Sequence, residues 1–264
     1  MNVPIPPRPD LASTSPASVR TASSGRPLAT WSWWEAIGLY VVTFLIAGFA
    51  IIPIIVLMGD SERGSGLGAA GVVSTIAADL LMAALWVWWL QRRHREWREA
   101  IVLVPEPDRW WREIGAGVAT GLVLVPAVGI VSLTLQGILS GLLDRDVSAP
   151  QQVSSDLSGA AAAAAVFLAV VIAPITEEFF FRGILFRALR DRRGFWIAAL
   201  GSAIPWGIVH VTTSPWEENL LLQLPIACMG IVLAWLYDRR GTLTANVVAH
   251  MAFNAVGIAL ILSG

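Results

Sequence analysis

The stretch Ala173-Pro-Ile-Thr-Glu-Glu-Phe-Phe-Phe-Arg-Gly-Ile-Leu-Phe186 places charged side chains inside a long apolar segment. It holds two adjacent carboxylates, Glu177 and Glu178, followed four positions later by Arg182. An ionisable group is costly inside a membrane, so such groups commonly mark a functional site. The stretch therefore predicts a membrane helix that carries chemistry.

The composition of the whole chain agrees with a membrane protein. Of its 264 residues, 56% are hydrophobic and 14% are charged, with a mean hydropathy of +0.66. Soluble domains are about 25% charged, so this chain is poor in charge. It has no basic stripe and no nucleic-acid-binding motif, and nucleic acid is not an expected partner. Membrane lipid is an expected partner, and the oligomeric state stays open.

The sequence predicts an all-α fold, a polytopic membrane bundle of about seven transmembrane helices, since each span needs roughly 20 apolar residues. The predicted spans are 35–58, 68–90, 114–142, 160–188, 196–213, 219–237 and 242–262. Arginine-rich connections alternate with acidic ones along the chain. By the positive-inside rule this alternation places the N-terminus in the cytoplasm. We expect a multi-pass protein of the cell membrane, with the bacterial plasma membrane as its location.

Three regions are expected along the chain. Residues 1–30 are rich in Pro, Ser, Ala and Thr without apolar periodicity, which predicts a disordered cytoplasmic tail. Residues 31–143 are predicted to form N-terminal transmembrane helices. Residues 160–264 are predicted to form a core that contains the charged stretch.

Helix geometry assigns different tasks to the two adjacent carboxylates. At about 100° per residue, Glu178 and Arg182 lie on one face and can form an ion pair. Glu177 points about 100° away from Glu178 and is free to face another helix. A carboxylate in that position can act as a general base.

Two later apolar segments each carry a histidine. His210 lies four residues after Trp206, and His250 lies four residues before Asn254, so each pair shares a helix face. If these stripes converge with Glu177, the site combines a base, imidazoles and an amide donor. Such groups can activate water and stabilise an oxyanion.

The order Glu-Glu-x-x-x-Arg, aromatic-x-x-x-His and His-x-x-x-Asn resembles the CPBP intramembrane protease family, also called the CAAX-protease or Abi family. The resemblance covers about residues 170–260. It implies that Glu177 and His210 activate the attacking water, that His250 and Asn254 form the oxyanion site, and that Glu178 and Arg182 support them. This chain has Trp206 where the family usually has Phe. The family's chemistry is described both as metal-dependent and as metal-free, so zinc is an open cofactor and the metal ligands stay unassigned.

The residues together predict an intramembrane endopeptidase that hydrolyses a membrane-associated peptide or protein. A non-proteolytic membrane scaffold that sequesters a partner protein is the alternative. A proton-coupled transporter is a further rival, because Glu and His clusters also serve as proton relays. The absence of a His-Glu-x-x-His motif argues against the helical zinc proteases that carry it.

Overall fold

The computed structural model describes residues 27–58, 67–150, 152 and 157–263. They form α1 (Trp33–Met58), α2 (Ala69–Arg93), the short α3 (Trp97–Ala100), α4 (Trp110–Leu143), α5 (Gly159–Arg193), α6 (Phe195–Ile208), α7 (Trp216–Arg240) and α8 (Leu243–Ser263). A single 3-10 turn at Pro107–Arg109 leads into α4. The predicted fold class, a polytopic helical membrane bundle, is confirmed.

Six of these helices are long and apolar enough to cross a membrane, namely α1, α2, α4 with its 3-10 turn, α5, α7 and α8. Many of their outward side chains are large and apolar; Phe49 is 72% exposed and Leu142 is 76% exposed. Such surfaces suit contact with lipid tails. The count of seven spans and the cytoplasmic side of the N-terminus stay predictions.

The remaining apolar helix, α6, is shorter than its predicted span of 196–213. It ends at Ile208, after 14 residues, and so rises only about 21 Å at 1.5 Å per residue. Residues 209–215 then form a turn and a loop. The side chain of Asn219, in the first turn of α7, holds this loop through the Thr212 amide (2.7 Å) and the Ser214 carbonyl (2.6 Å).

Helix α5 runs through the middle of the bundle. Its residues from Phe179 to Leu189 are all buried. Phe180 packs against Tyr40 of α1 and Trp86 of α2, with ring centroids 4.8 Å away in both cases. These contacts position the charged stretch between the N-terminal helices and the C-terminal ones.

Helices α4 and α8 approach each other closely through glycines. A Cβ atom added at Gly117 would lie 2.6 Å from the Ala245 carbonyl oxygen, and one at Gly121 would lie 2.5 Å from the Ala249 oxygen. Small residues at membrane helix interfaces allow such backbone contact. This packing fixes α8, which carries His250.

The predicted tail of residues 1–30 is too long at its C-terminal end. Residues 1–26 lie outside the described residues, but Pro27 and Ala29 pack on the end of α5. Arg187 donates to the Pro27 carbonyl at 2.7 Å, and the Ala29 amide donates to Asp191 at 2.7 Å. Ala29 is only 3% exposed. Composition missed this boundary because these residues are held by side chains 160 and 162 positions away in the chain.

Candidate active site

The helix that carries the charged stretch is not a regular α-helix. Within α5, the segments Leu168–Ile172 and Glu178–Phe186 are π-helical, and a short α-helical turn, Ala173–Glu177, separates them. Pro174 lies at the start of that turn and has no N–H to donate. π-helical insertions are frequent at functional sites. Glu177 and Glu178 lie at the junction of the second insertion.

Glu178 is fully buried and held by donors on three sides. Arg182 donates to its Oε1 at 2.8 Å, so the predicted ion pair is present with both side chains 0% exposed. His250 Nδ1 lies 3.2 Å from the same oxygen, and Asn246 donates to Oε2 at 3.2 Å. Arg182 also donates to the Gly230 carbonyl at 3.2 Å. The charge of Glu178 is therefore paired and hydrogen-bonded, as a buried charge requires.

Glu177 points away from Glu178, as predicted, towards α6 and α8. The indole N–H of Trp206 donates to its Oε2 at 2.6 Å. Its Oε1 lies 3.8 Å from Nε2 of His210, and its Oε2 lies 4.0 Å from Nε2 of His250. The structure thus brings Glu177 together with both predicted histidines.

The hydrogen bonds of the two imidazoles assign their ring nitrogens. Nδ1 of His210 lies 2.7 Å from the Trp206 carbonyl oxygen, which can only accept, so Nδ1 donates. The same reasoning makes Nδ1 of His250 the donor to Glu178. Both histidines therefore turn Nε2 towards Glu177. An imidazole whose Nδ1 is fixed in this way has a defined orientation for proton transfer.

The exposure of these side chains separates a reactive layer from a supporting one. Glu177 and His210 have side chains that are 23% and 18% exposed, whereas His250 is 6% exposed. Glu178 and Arg182 are completely buried. Water can reach the first two groups, while the ion pair beneath them is sealed.

Asn254 lies one turn beyond His250 on α8, but its hydrogen bond leads elsewhere. Its Nδ2 donates to the carbonyl oxygen of Ala169 at 2.7 Å. In the π-helical stretch the Ala173 N–H donates to Leu168, five residues back. The next donor in that pattern would be the N–H of Pro174, which does not exist. Asn254 therefore donates to the carbonyl that the proline leaves without its helical donor.

A metal site was left open by the sequence. Among the residues that the structure describes, no three or more His, Cys, Asp or Glu side chains are placed together so that they could hold a metal ion. The nearest set is Glu177 with the Nε2 atoms of His210 and His250, 3.8 and 4.0 Å away. As placed, this set does not fit a metal ion, and the choice that the sequence left open between zinc and a metal-free mechanism stays untested.

Two contributions to the site were not predicted from the sequence. The first is the Trp206 N–H, since the sequence indicated only that Trp206 shares a face with His210. The second is Asn246, which is 0% exposed and donates to both Glu178 and the Leu233 carbonyl. Its spacing of four residues before His250 was the available signal.

Comparison with known proteins finds similarity over the segment that carries this cluster. Residues 159–256 match the family model described as type II CAAX prenyl endopeptidase Rce1-like. YdiL of Bacillus subtilis, provisionally named a membrane peptidase, is 34% identical over 89 residues, which are 34% of this chain and 34% of that protein. YxdF of Lactococcus lactis is 25% identical over 87 residues, which are 33% of this chain and 44% of that protein.

The chain thus matches less than half the length of each of these two relatives. No solved structure matches it. The family match nevertheless includes Glu177, Glu178, Arg182, His210 and His250. Over residues 159–256, this multi-pass membrane protein is similar to the CPBP, or CAAX-protease, family.

Proposed function

We propose that the protein is an intramembrane endopeptidase that hydrolyses a membrane-associated peptide or protein with a water molecule activated by Glu177 and His210. The observation that carries this proposal is the facing pair of Glu177 Oε1 and His210 Nε2, 3.8 Å apart and both partly exposed. The family match of residues 159–256 to CAAX prenyl endopeptidases supports the reaction class.

The separation of the two acceptors suits a bridging water. Each has a lone pair, because Glu177 is a carboxylate and His210 uses Nδ1 as its donor. A water at about 2.8 Å from both atoms would donate one hydrogen to each. Its own lone pair then points away from the protein groups, towards a peptide carbonyl carbon.

The proton transfers follow from this arrangement. Glu177 takes a proton from the water as its oxygen bonds to the carbonyl carbon, which forms a tetrahedral oxyanion. The protonated Glu177 then gives that proton to the leaving amine as the C–N bond breaks. The carboxylate is regenerated, so one water is consumed for each peptide bond. General acid–base catalysis of this kind contributes roughly 10²–10⁴-fold to a rate.

His250 is proposed to stabilise the oxyanion. It lies between two carboxylates, 3.2 Å from Glu178 and 4.0 Å from Glu177. If His250 carries a proton on each nitrogen, the charges of Glu177, Glu178, Arg182 and His250 sum to zero. A neutral total is favourable in a low-dielectric site, and Nε2–H is then a donor for the oxyanion. The predicted oxyanion role of Asn254 would use its second amide hydrogen.

The test compares new peptide termini in membranes from cells that carry the wild type or Glu177→Gln at equal expression. The substitution keeps the shape of the side chain and removes the base. Glu99→Gln, at an exposed glutamate of α3, is the matched control. We expect cleaved ends with the wild type and with Glu99→Gln but not with Glu177→Gln. The same ends from Glu177→Gln would contradict the mechanism, and no ends from any of the three would favour the partner-binding scaffold.

A further inference from the structure

The indole of Trp206 contacts four charged or titratable groups of the site: Glu177, Arg182, His210 and His250. It is 1% exposed, and its N–H donates to Glu177 at 2.6 Å. Its ring lies edge-on to His210 and His250, with centroids 5.8 and 5.3 Å apart. The guanidinium carbon of Arg182 lies 4.2 Å from the ring centroid.

The need for a positioning group is clearest at Glu177. Glu178 accepts three side-chain hydrogen bonds, which hold its carboxylate in one orientation. Glu177 is partly exposed, and among the described residues its hydrogen bond comes from Trp206. Without that bond, the carboxylate could turn towards the exposed side or towards either histidine. A misplacement of about 1 Å can cost about 10² in rate.

The hydrogen bond from Trp206 also determines which carboxylate oxygen of Glu177 is available to the attacking water. Trp206 occupies Oε2 of Glu177, which leaves Oε1 to face His210. The indole itself has little freedom, because α7 presses against it. A Cβ atom added at Gly230 would lie 2.9 Å from Trp206 Cε3. A rigid ring with one fixed N–H can therefore define the direction of the carboxylate.

We propose that Trp206 is a positioning residue for Glu177, and that its indole N–H, not only its bulk, fixes the carboxylate in the orientation that leaves Oε1 for the attacking water. This inference rests on the proposed hydrolase function for its purpose, but the contact itself is independent of turnover. A phenylalanine at this position would keep an aromatic ring and lose the donor. The role is therefore specific to the tryptophan of this chain.

The experiment measures the reactivity of Glu177 without any substrate. Dicyclohexylcarbodiimide is an apolar reagent that modifies neutral carboxylic acids, and peptide mass spectrometry locates the product. Purified full-length protein is labelled at one fixed pH in three forms: wild type, Trp206→Phe, and protein with 3-benzothienylalanine at position 206. The last side chain has the shape of tryptophan with sulfur in place of N–H. Trp196→Phe, on the same helix but 66% exposed, is the control.

Loss of the donor removes the hydrogen bond that holds the carboxylate of Glu177 in place. A hydrogen bond to an ionised group shifts an equilibrium by about tenfold or more. We therefore expect Glu177 to be labelled about tenfold faster in both variants at position 206. Labelling of Glu178 and of the Trp196→Phe control should equal the wild type.

If Glu177 is labelled at the wild-type rate in the protein that carries 3-benzothienylalanine, the proposal is overturned. This holds even if Trp206→Phe is labelled faster, because the smaller ring would then only have improved access of the reagent to Glu177. Equal acceleration at Glu178 would also overturn it, because the variants would then have loosened the whole site. If the labelling behaves as expected while no variant or wild type cleaves any protein, the positioning role stands and the hydrolase function fails.

Discussion

The hydrogen bond between Asn254 and Ala169 predicts that Asn254 and Pro174 depend on each other. Asn254 supplies a donor to a carbonyl because the proline at position 174 cannot. Restoring a backbone N–H with Pro174→Ala should therefore make the asparagine dispensable for folding. The test is a double-mutant cycle of Pro174→Ala and Asn254→Ala, measured by denaturant unfolding of the purified protein in mixed micelles.

The expected change in the free energy of unfolding is the cost of leaving one carbonyl, that of Ala169, without its hydrogen-bond donor. In the wild-type background, Asn254→Ala should lower the free energy of unfolding by about 1–3 kcal/mol. In the Pro174→Ala background the new N–H bonds the Ala169 oxygen, and the same change should cost less than about 1 kcal/mol. The expected coupling is about 1–2 kcal/mol, within the range of residues that share a partner.

The matched background is Pro126→Ala, because Pro126 lies inside α4 and has no part in this contact. Asn254→Ala should cost the same there as in the wild type. An equal cost in the Pro174→Ala background would refute the reasoning. The cycle also separates the two roles of Asn254. If the double variant folds as well as Pro174→Ala but cleaves far more slowly, the asparagine serves the oxyanion as well as the helix.

The remaining predictions concern the ion pair, the glycine contact and metal. Arg182→Met should destabilise the fold by about 3–5 kcal/mol because Glu178 is left buried and unpaired. Adding Glu178→Gln should recover a large part of that stability, and a double variant as unstable as Arg182→Met would contradict this. Gly121→Ala should cost about 1–3 kcal/mol in unfolding experiments, since its Cβ meets the Ala249 carbonyl at 2.5 Å, whereas Gly115→Ala, with nothing within 4 Å, should be near neutral. Treating the purified protein with a strong zinc chelator should leave cleavage within about twofold, since the proposed proton transfers use side chains alone; a complete loss that zinc restores would show the opposite.

The features that could be predicted from the sequence depend on residues that lie close together in the chain. Apolar runs of sufficient length predicted the long helices, because membrane-spanning backbone must satisfy its own hydrogen bonds. The spacing of four residues predicted the ion pair of Glu178 and Arg182, and the rotation about the helix axis predicted that Glu177 faces other helices. Both depend only on local helix geometry.

The features that were not predicted from the sequence depend on tertiary contacts. Hydropathy predicted a fifth span that includes His210. In the structure α6 ends at Ile208, and His210 lies in the following turn. The contact between Trp206 and Glu177 joins residues 29 positions apart, and no spacing rule reaches that far. The contact of Asn254 with Ala169 depends on the π-helical hydrogen bonding of Leu168–Ile172, which a prediction based on a regular α-helix does not include.

The central claim is that Glu177 is the base that activates water in this site. The most direct measurement is cleavage by purified protein in liposomes, with a peptide spanning a cut site found in the membrane comparison, by wild type and Glu177→Gln. The account predicts that the variant is slower by about 10² or more while it unfolds at the wild-type denaturant concentration. Cleavage by Glu177→Gln at the wild-type rate would contradict it.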